Sequence, residues 1–497
     1  MEGFRLSAAK LYTERMMEHT QTATPIWDAL LRHWEKERVS VHVPGHKAGE
    51  GLPDDFASHA RYLARLDATE LPGLDDLHAP RGAILHAEQL AARAWGSDCT
   101  FFLVGGSTAG NLAALLATLR PGDQVLVPRN AHQSVWHGLK LARAQAIVVT
   151  PEPAPYGVPG AVPPERIARA LEEFPHISVI VVVSPTYHGI TSDLPAIVRL
   201  GHANNIPVIV DEAHGAHLSF HPQLPISGVQ AGADIVVQSA HKMLPALTQT
   251  ALLHLNGTRV DPDRLRDWLR VVQSSSPSYL LLASLDCARA ELAADGLQRI
   301  GKAMMRLGAA AGRLEAVVPG LVNAGVDSGR QDPFKWTIAT ALLGMSGFEA
   351  ERVLRERFGI FAELVHENHV LFAWSYASSQ RDVDMVFQAL CTLAEEDRTE
   401  RFRLPETSEI PANWTSEAVL IDAQEAGPRA VMTIPLRAAV GKRMAVSLTP
   451  YPPGIPCVLE GETLSLSVCE MVLAMLDQGV RVDGVAGSEE PAVRCWE

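Results

Sequence analysis

Apolar residues between about residue 98 and residue 255 fall into short continuous runs, and stretches with helical character separate these runs. Continuous runs rich in Val, Ile and Leu are typical of strands that are buried on both faces of a parallel sheet. We therefore predict an α/β domain with a mainly parallel sheet that helices cover on both faces. The predicted strands lie within TFFLV (residues 100–104), DQVLVP (123–128), AIVV (146–149), ISVIVVVSP (177–185), PVIVDEAH (207–214) and DIVVQSAH (234–241).

The pattern changes after about residue 300, where the strand and helix signals predict a smaller α+β layer. Its elements are FKWTIATAL (334–342), GFEAERVLRERF (347–358), VLFAWS (370–375) and DVDMVFQALCTLAEE (382–396). Residues 403–417 predict a linker or crossing loop, and a last element runs through TPYPPGIPCVLEGE (449–462). We predict four units: an N-terminal extension and arm (1–65), a large sheet domain (66–300), a small α+β domain (301–402) and a C-terminal domain (403–497).

Composition narrows the classes of partner. The 497 residues are 47% hydrophobic and 20% charged, as in an ordinary globular protein. The net charge of −14 argues against nucleic acid and anionic membranes as partners and favours a cationic small molecule. The six cysteines are scattered, which argues against a disulfide framework, a cysteine zinc site and a CxxC redox motif. We expect a cytoplasmic protein, because no apolar run reaches the ~18 residues of a membrane span and the first residues lack a signal-peptide core.

Parallel sheets bind ligands at the carboxyl ends of their strands, and polar residues follow several of the predicted strands. The segment GGSTAGN (105–111) opens a helix, where glycines and free N–H groups predict an anion site with Ser107 and Thr108 as further donors. An ordinary capped turn is the alternative. His132 follows the second strand and either caps a helix in solvent or stacks on a flat ligand.

Asp211 stands at the end of the predicted strand PVIV (207–210), and Lys242 stands 31 residues later, at the end of the strand that follows it. A carboxylate at the end of a buried strand is costly unless it pairs with an arginine or with a protonated nitrogen of a ligand. A lysine is rarely buried unless it is paired or takes part in chemistry. An anion site, a ring-stacking histidine, an aspartate and a lysine at neighbouring strand ends together match the needs of pyridoxal phosphate, which uses a lysine anchor and an acid at its pyridine nitrogen.

The sequence also resembles a known family, the Orn/Lys/Arg decarboxylases, from about residue 25 to about residue 465. The motifs that carry the resemblance are HVPGHKAGEG (42–51), ELPGLDDLHAPRGAI (70–84), FFLVGGSTAGN (101–111), PRNAHQSV (128–135), SPTYHGI (184–190), VDEAHGAH (210–217), SAHKMLPALTQ (239–249) and TPYPPGIP (449–456). The length resembles the shorter bacterial branch, which includes arginine decarboxylases of the Bacillus type. The resemblance implies the aspartate-aminotransferase-like fold (fold type I) and a homodimer or larger homo-oligomer with active sites at the subunit interface.

The resemblance implies a role for each matching residue. Lys242 would be the Schiff-base lysine, Asp211 the partner of the pyridine nitrogen, and His132 the residue that stacks on the ring. Ala213 and His214 would lie beside the ring. The residues that would surround the phosphate are Ser107, Thr108, Ala109, Ser239 and His241. Residues 274–279 would lie near the interface and contact a neighbouring subunit's site, and residues 44–47 would line the entrance.

The resemblance implies decarboxylation of a basic amino acid, most simply arginine to agmatine, with lysine to cadaverine or ornithine to putrescine next. Lys242, His132, Asp211 and His214 would be catalytic, with Lys242 or His214 returning a proton to Cα. Two segments depart from the family pattern, CVLEGE (457–462) and DPFKW (332–336), and both bear on substrate choice. The carboxylates available for the distal cation of the substrate are Glu363, Glu367, Glu460 and Glu462.

Three other functions remain open on the sequence. One is a different fold type I enzyme, such as an aminotransferase or a lyase, because these share the cofactor residues. Another is a metal hydrolase that uses His214, His217 and His221 as zinc ligands near Asp211. The third is a non-catalytic relative that has kept the fold.

Overall fold

The structure, a computed structural model, describes residues 20–36, 39–323, 326–396, 419–421, 430–487 and 490–496. The linker predicted at residues 403–417 lies outside the described residues. No helix in the described ranges has both the length and the apolar content needed to cross a membrane.

Helices and strands alternate along the first part of the chain. Its helices are Pro25–Lys36 (α1), Asp54–Leu66 (α2), Ala83–Trp95 (α3), Gly106–Thr118 (α4), Gln133–Ala142 (α5), Pro164–Glu173 (α6), Leu194–Ala203 (α7), Ala240–Met243 (α8), Pro262–Val272 (α9) and Tyr279–Val317 (α10). Its strands are Cys99–Leu103 (β1), Gln124–Pro128 (β2), Gln145–Val149 (β3), Pro153–Ala154 (β4), Val158–Pro159 (β5), Ile177–Val183 (β6), Val208–Asp211 (β7), Ile235–Gln238 (β8) and Ala251–Leu255 (β9).

The central sheet has the order β1-β9-β8-β7-β6-β2-β3, and a strand at residues 419–421 pairs with its β3 edge. Strands β3, β2, β6, β7 and β8 run parallel, so the prediction of a mainly parallel sheet is confirmed. Strand β9 was not predicted. It is antiparallel to both β8 and β1, because the chain turns back within a few residues of α8 instead of crossing over through a long helix.

Side chains of the central strands alternate between two apolar layers. Val125 and Val127 pack in one layer with Leu115, whereas Leu126 packs in the other layer with Ile197. Burial on both faces explains why these strands are continuous apolar runs in the sequence.

A glycine on α4 brings this helix unusually close to the sheet. A Cβ on Gly110 would lie 2.6 Å from Cγ1 of Val237 in β8, so only glycine fits without displacement. The contact sets the start of α4, residues 105–107, beside the carboxyl end of β8. The anion site predicted from the sequence and the segment that carries Lys242 are therefore neighbours.

A second layer follows the long helix α10. It contains the strands Lys335–Ala339 (β10), Leu364–His366 (β11) and His369–Ala373 (β12) and the helices Gly347–Phe358 (α11) and Gln380–Glu395 (α12). The strands form an antiparallel sheet in the order β10-β12-β11, which confirms the predicted α+β layer. Helix α10 runs without a break through residue 300, so the predicted domain boundary at 300/301 falls inside a helix; the four-domain division stays a prediction.

The last part of the chain folds as a small α+β layer, of which the sequence predicted only one element. Strand Val419–Ile421 (β13) joins the central sheet beside β3. The layer itself contains the strands Val431–Pro435 (β14), Thr449–Tyr451 (β15), Arg481–Asp483 (β16), Val485–Ala486 (β17) and Ala492–Trp496 (β18) and the helix Leu466–Asp477 (α13). Residues 452–456, which follow β15, extend back to the carboxyl edge of the central sheet. Residues 452–456 therefore place part of the C-terminal layer against the carboxyl ends of the central strands.

Candidate active site

A pocket opens at the carboxyl edge of the central sheet, where the ends of β2, β6, β7 and β8 meet. Residues that line it include Ser107, His132, Asp211, Ala213, His214 and Lys242, together with Pro453 and Ile455 from the C-terminal layer. The structure therefore brings together most of the residues predicted at strand ends. Thr108 is exposed and Ala109 is buried within the first turn of α4, so neither faces this pocket in the single chain.

Asp211, at the end of β7, is 4% exposed and is held by neutral donors. The side-chain amide of Asn111 donates to Oδ2 at 2.9 Å, and the backbone N–H of Ala213 donates to Oδ1 at 3.2 Å. Among the described residues no arginine or lysine pairs with Asp211, so the structural ion pair that the sequence left open is not formed there. Asn111 was missed in the sequence analysis, although it stands at the end of the GGSTAGN segment.

His132 caps helix α5, and its ring is fixed from two sides. The backbone N–H of Ser134 donates to Nδ1 at 3.2 Å. On the other side, a Cβ on Gly454 would lie 2.8 Å from Nε2, so the loop of the C-terminal layer packs directly on the ring. The Gln133 N–H donates to the Gly454 carbonyl at 2.8 Å and holds this contact. Burial lowers the pKa of His132, which keeps the ring neutral.

Lys242 lies in the short helix α8 and turns its amine toward His214. Its Nζ is 3.2 Å from Nε2 of His214. Burial lowers the pKa of Lys242, although Asp211 opposes that effect. Beside it, the Ser239 hydroxyl donates to the Ser107 hydroxyl at 2.8 Å, and Nδ1 of His241 lies 2.9 Å from the Thr250 carbonyl. These contacts join the anion site of α4 to the lysine segment.

His214 lies between two lysines. Nζ of Lys335, the first residue of β10, is 2.9 Å from His214 Nδ1, on the side opposite Lys242. The His214 ring also meets the Tyr187 ring edge-on, with 4.7 Å between centroids. Lys335 and Tyr187 were not singled out from the sequence. Lys335 stands in the segment DPFKW and Tyr187 stands in SPTYHGI, and both segments were noted in the sequence without a role for these two residues.

The candidate carboxylates for a distal cation separate into two groups. Glu363 accepts a 2.5 Å hydrogen bond from the Tyr187 hydroxyl and is thereby connected to the pocket. Glu460 pairs with Lys140 at 2.7 Å, and Glu462 pairs with Arg129 at 2.9 Å, so both carboxylates already have cationic partners. Glu367 lies at the turn between β11 and β12, where its carbonyl accepts the N–H of Gly347.

The predicted entrance and interface segments lie outside the pocket lining of the single chain. His46, in residues 44–47, pairs with Asp67 at 3.2 Å. In residues 274–279, the Tyr279 side chain is buried and its hydroxyl accepts the Asp75 N–H at 2.6 Å. The structure is one chain, so the contact with a neighbouring subunit stays a prediction.

The histidines proposed as zinc ligands have other partners. His214 lies between the two lysines, and Nε2 of His217 is 3.2 Å from Asp332 Oδ1. Within the described ranges, no group of three or more His, Cys, Asp or Glu side chains is arranged to hold a metal ion. The structure therefore gives no support to the metal hydrolase.

The donors and acceptors at the pocket fit pyridoxal phosphate. The start of α4 and the hydroxyls of Ser107 and Ser239 suit a phosphate. Asp211 is a buried carboxylate whose only contacts described are neutral donors, which suits a protonated ring nitrogen. Lys242 is an amine in the lining of the pocket whose pKa is lowered by desolvation, which suits covalent attachment to an aldehyde.

Comparison with known proteins agrees with this fit. The family model of the Orn/Lys/Arg decarboxylase major domain matches residues 24–314, and the model of the C-terminal domain of the same family matches residues 421–481. Arginine decarboxylase of Bacillus subtilis is 35% identical over 487 residues, which cover 96% of this chain and 98% of that protein.

Solved structures show the same fold. Lysine decarboxylase A from Pseudomonas aeruginosa superimposes with a TM-score of 0.78 at 22% identity, over 99% of this chain and 82% of that one. Ureidoglycine-glyoxylate aminotransferase from Bacillus subtilis superimposes with a TM-score of 0.50 at 16% identity, over 62% of this chain and 83% of that one. The aspartate-aminotransferase-like architecture expected from the sequence is therefore confirmed.

Proposed function

The chain belongs to the Orn/Lys/Arg decarboxylase family, and from this premise we propose that it converts arginine to agmatine and CO₂ with pyridoxal phosphate as cofactor. The observation that carries the choice of arginine is the similarity to the Bacillus subtilis arginine decarboxylase along nearly the whole of both chains. Lysine and ornithine are the next substrates to test, since both also carry a distal cation.

Bound pyridoxal phosphate supplies an electron sink for the pair of electrons released when the bond to the carboxylate breaks. Lys242 would provide the amine that anchors the cofactor, and its lowered pKa favours the neutral, nucleophilic form. Asp211 keeps a proton on the ring nitrogen by offering a fixed negative charge. Asn111 and the Ala213 N–H hold that carboxylate in place without neutralising it.

The remaining pocket residues orient the reactants. Ser107, Ser239 and His241 hold the phosphate at the start of α4, where backbone N–H groups favour an anion. His132 would cover one face of the cofactor ring, and the loop at Gly454 packs on the imidazole and limits its rotation. An imidazole held in this way would limit the motion of the bound cofactor, which is a positioning contribution to catalysis.

We assign the distal cation of the substrate to Glu363. Burial raises the pKa of Tyr187, with Glu363 as a further cause, so the Tyr187 hydroxyl stays protonated and holds Glu363 by donating to Oε1. A fixed carboxylate favours the planar guanidinium of arginine, which donates two parallel hydrogen bonds, over the compact ammonium of lysine. Glu460 and Glu462 are less suitable because each is already paired with a basic residue.

We also propose a homodimer or larger homo-oligomer with the active site at the subunit interface. Alternate residues of the segment 39–43 expose apolar side chains: Val39 is 75% exposed, Val41 87% and Val43 62%. Such a row of exposed valines favours burial against another protein surface. Light scattering of the purified protein tests the proposal, and a monomer with full activity would contradict it.

The function is tested by visible spectroscopy and CO₂ trapping on the purified protein. We expect a visible absorbance band after addition of pyridoxal phosphate, and CO₂ release with arginine in preference to lysine or ornithine. A band without CO₂ from any of the three amino acids would contradict the decarboxylase and favour an aminotransferase. The absence of a band would contradict the assignment of Lys242 itself.

A further inference from the structure

Lys335 is a buried amine that the reaction described above does not use. It is 1% exposed and lies behind His214, outside the lining of the pocket. The fold makes room for its stem at Gly189, where a Cβ would lie 2.7 Å from Lys335 Cβ. Burying an amine is costly, and its closest contact is an imidazole and not a carboxylate. A lysine placed in this way requires an explanation beyond packing.

The two lysines determine where His214 carries its proton. Burial lowers the pKa of His214 well below its usual value, so the ring is neutral and has one N–H. A protonated lysine only donates, and an imidazole nitrogen that accepts carries no hydrogen. If Lys335 donates to Nδ1 across 2.9 Å, the N–H of His214 must be on Nε2, which faces Lys242 at 3.2 Å.

The reaction requires a proton at that place. Loss of CO₂ from an amino acid leaves an electron pair that becomes the new C–H bond, so each turnover takes up one proton. Lys242 Nζ marks the place that the substrate amine would take when it replaces the lysine, and the reacting carbon is one bond from that nitrogen. His214 Nε2 lies 3.2 Å from Lys242 Nζ, within reach of a carbon bonded at that place. We propose that Lys335 is a positioning residue that fixes the Nε2–H form of His214 and supplies a proton to Nδ1 while Nε2 protonates Cα.

The proton balance closes with water as the source. In the protonation step, one proton moves from Lys335 Nζ to His214 Nδ1 and another moves from His214 Nε2 to Cα. When the product leaves, Nε2 takes a proton from water in the pocket, and Nδ1 returns its proton to Lys335. The inference rests on the proposed function, since it concerns the proton that a decarboxylation consumes.

The charges around Lys335 agree with a group that gains and loses a proton. Burial lowers the pKa of Lys335 to about 8, with Asp332 and Glu363 opposing the effect and Lys242 adding to it. The ionisable groups that face it are His214, Lys242, Tyr187, Glu363, Asp332 and His188. Lys335 is therefore mostly protonated at neutral pH and becomes a poor proton source as the pH rises through about 8.

Nitrogen NMR of the cofactor-free protein tests the positioning without relying on activity. With ¹⁵N-labelled histidine, we expect His214 of the wild type to show a protonated Nε2 and an unprotonated Nδ1. Lys335→Met should lose this preference, whereas Lys335→Arg should keep it because arginine still donates. An unchanged His214 spectrum in Lys335→Met would overturn the proposal.

Measurements of kcat and KM distinguish the two roles proposed for Lys335, which are to fix the His214 imidazole and to supply a proton to its Nδ1. Lys335→Met should lower kcat about 10²-fold, the lower end for loss of general acid catalysis, with KM changed less than about threefold. Lys335→Arg should lower kcat about tenfold and abolish the fall of kcat above about pH 8, because arginine does not titrate there. The control is Lys140→Met, an exposed lysine, which should leave kcat unchanged.

The outcomes distinguish this inference from the proposed function. A wild type that releases no CO₂ from any basic amino acid contradicts the proposed function, and the NMR experiment still decides whether Lys335 fixes His214. A wild type that is active, with kcat of Lys335→Met within about threefold of it, overturns the inference alone. If Lys335→Met does not fold, the test is the pH dependence of kcat in Lys335→Arg. A fall of kcat above about pH 8 that is the same as in the wild type would overturn the proposal that Lys335 supplies the proton.

Discussion

The two sides of the active site are built in different ways. On the sheet side, Ser107, His132, Asp211 and Lys242 each stand within a few residues of a strand end. On the opposite side, the contacts join distant parts of the chain. Lys335 and His214 are 121 positions apart, Glu363 and Tyr187 are 176 positions apart, and Arg129 and the Cys457 carbonyl are 328 positions apart.

This difference separates two kinds of catalytic contribution. The sheet side provides groups that suit a cofactor shared by many enzymes of this fold, and it depends on local chain geometry. The opposite side supplies Lys335 beside His214, the loop at Gly454 beside His132, and Glu363, the carboxylate that we propose for the substrate cation. Variants of the sheet side should therefore abolish the reaction, whereas variants of the opposite side should change its rate, its pH dependence or its substrate preference.

Lys242→Ala should have the largest effect. Removing the amine eliminates the covalent anchor, so we expect loss of the visible absorbance band and a fall in CO₂ release of about 10⁴-fold or more. Lys335→Met is the matched comparison, because it also removes a lysine in contact with His214 but should keep the band. A band that persists in Lys242→Ala, or one that disappears in Lys335→Met, would break the distinction between the two sides.

Asp211→Asn should have the next largest effect. The substitution keeps the size of the side chain and removes the charge that holds a proton on the ring nitrogen. Preorganised charges of this kind contribute about 10²–10³-fold to kcat, so a loss in that range is expected with the cofactor still bound. Measuring kcat and the absorbance band on the same sample checks the loss of rate and the retention of the cofactor. A fall in kcat of less than about tenfold would mean that Asp211 has a structural role only.

The sheet side could be predicted because geometry leaves little freedom there. Carboxyl ends of parallel strands meet at one edge, so His132, Asp211 and Lys242 had to be neighbours once the strands were recognised. All six predicted strands are present, with ends shifted by a few residues. Their roles in catalysis stay predictions until they are tested.

The opposite side could not be predicted, because the segments that contain Tyr187 and Lys335 do not indicate which distant residues they contact in the fold. Lys335 begins an ordinary strand, and only the packing of β10 beside the carboxyl edge brings its amine to His214. Glu363 was one of four carboxylates that the sequence could not rank, and its bond with Tyr187 distinguishes it. Strand β9 was missed because a sharp return after α8 leaves no helix to signal it.

Arg129→Met tests the long-range contacts through stability. Arg129 is 2% exposed, and its guanidinium donates to the carbonyls of Pro456 and Cys457 and to Glu462. Removing one partner of a buried ion pair leaves the other without compensation, which costs about 3–5 kcal/mol of unfolding free energy.

Lys140→Met is the control for Arg129→Met. Lys140 also pairs with an acid of the same segment, Glu460, but it is 64% exposed, and such surface pairs are worth about 0–1 kcal/mol. Denaturant unfolding of the two variants measures the difference. Equal losses would show that the Arg129 contacts do not hold the C-terminal loop against His132.

Glu363→Gln should have the smallest effect and the most specific one. The amide keeps an acceptor for the Tyr187 hydroxyl but lacks the charge that would pair with a guanidinium. We expect KM for arginine to rise about tenfold, which corresponds to about 1.4 kcal/mol of binding, with a smaller change in kcat. The preference for arginine over lysine should fall, because the advantage of a bidentate guanidinium depends on both carboxylate oxygens. Glu367→Gln, four residues away in the same hairpin, is the control that should leave KM unchanged. If KM for arginine changes equally in the two variants, Glu363 does not bind the substrate cation. The neighbouring subunit would then be the next place to look for that carboxylate.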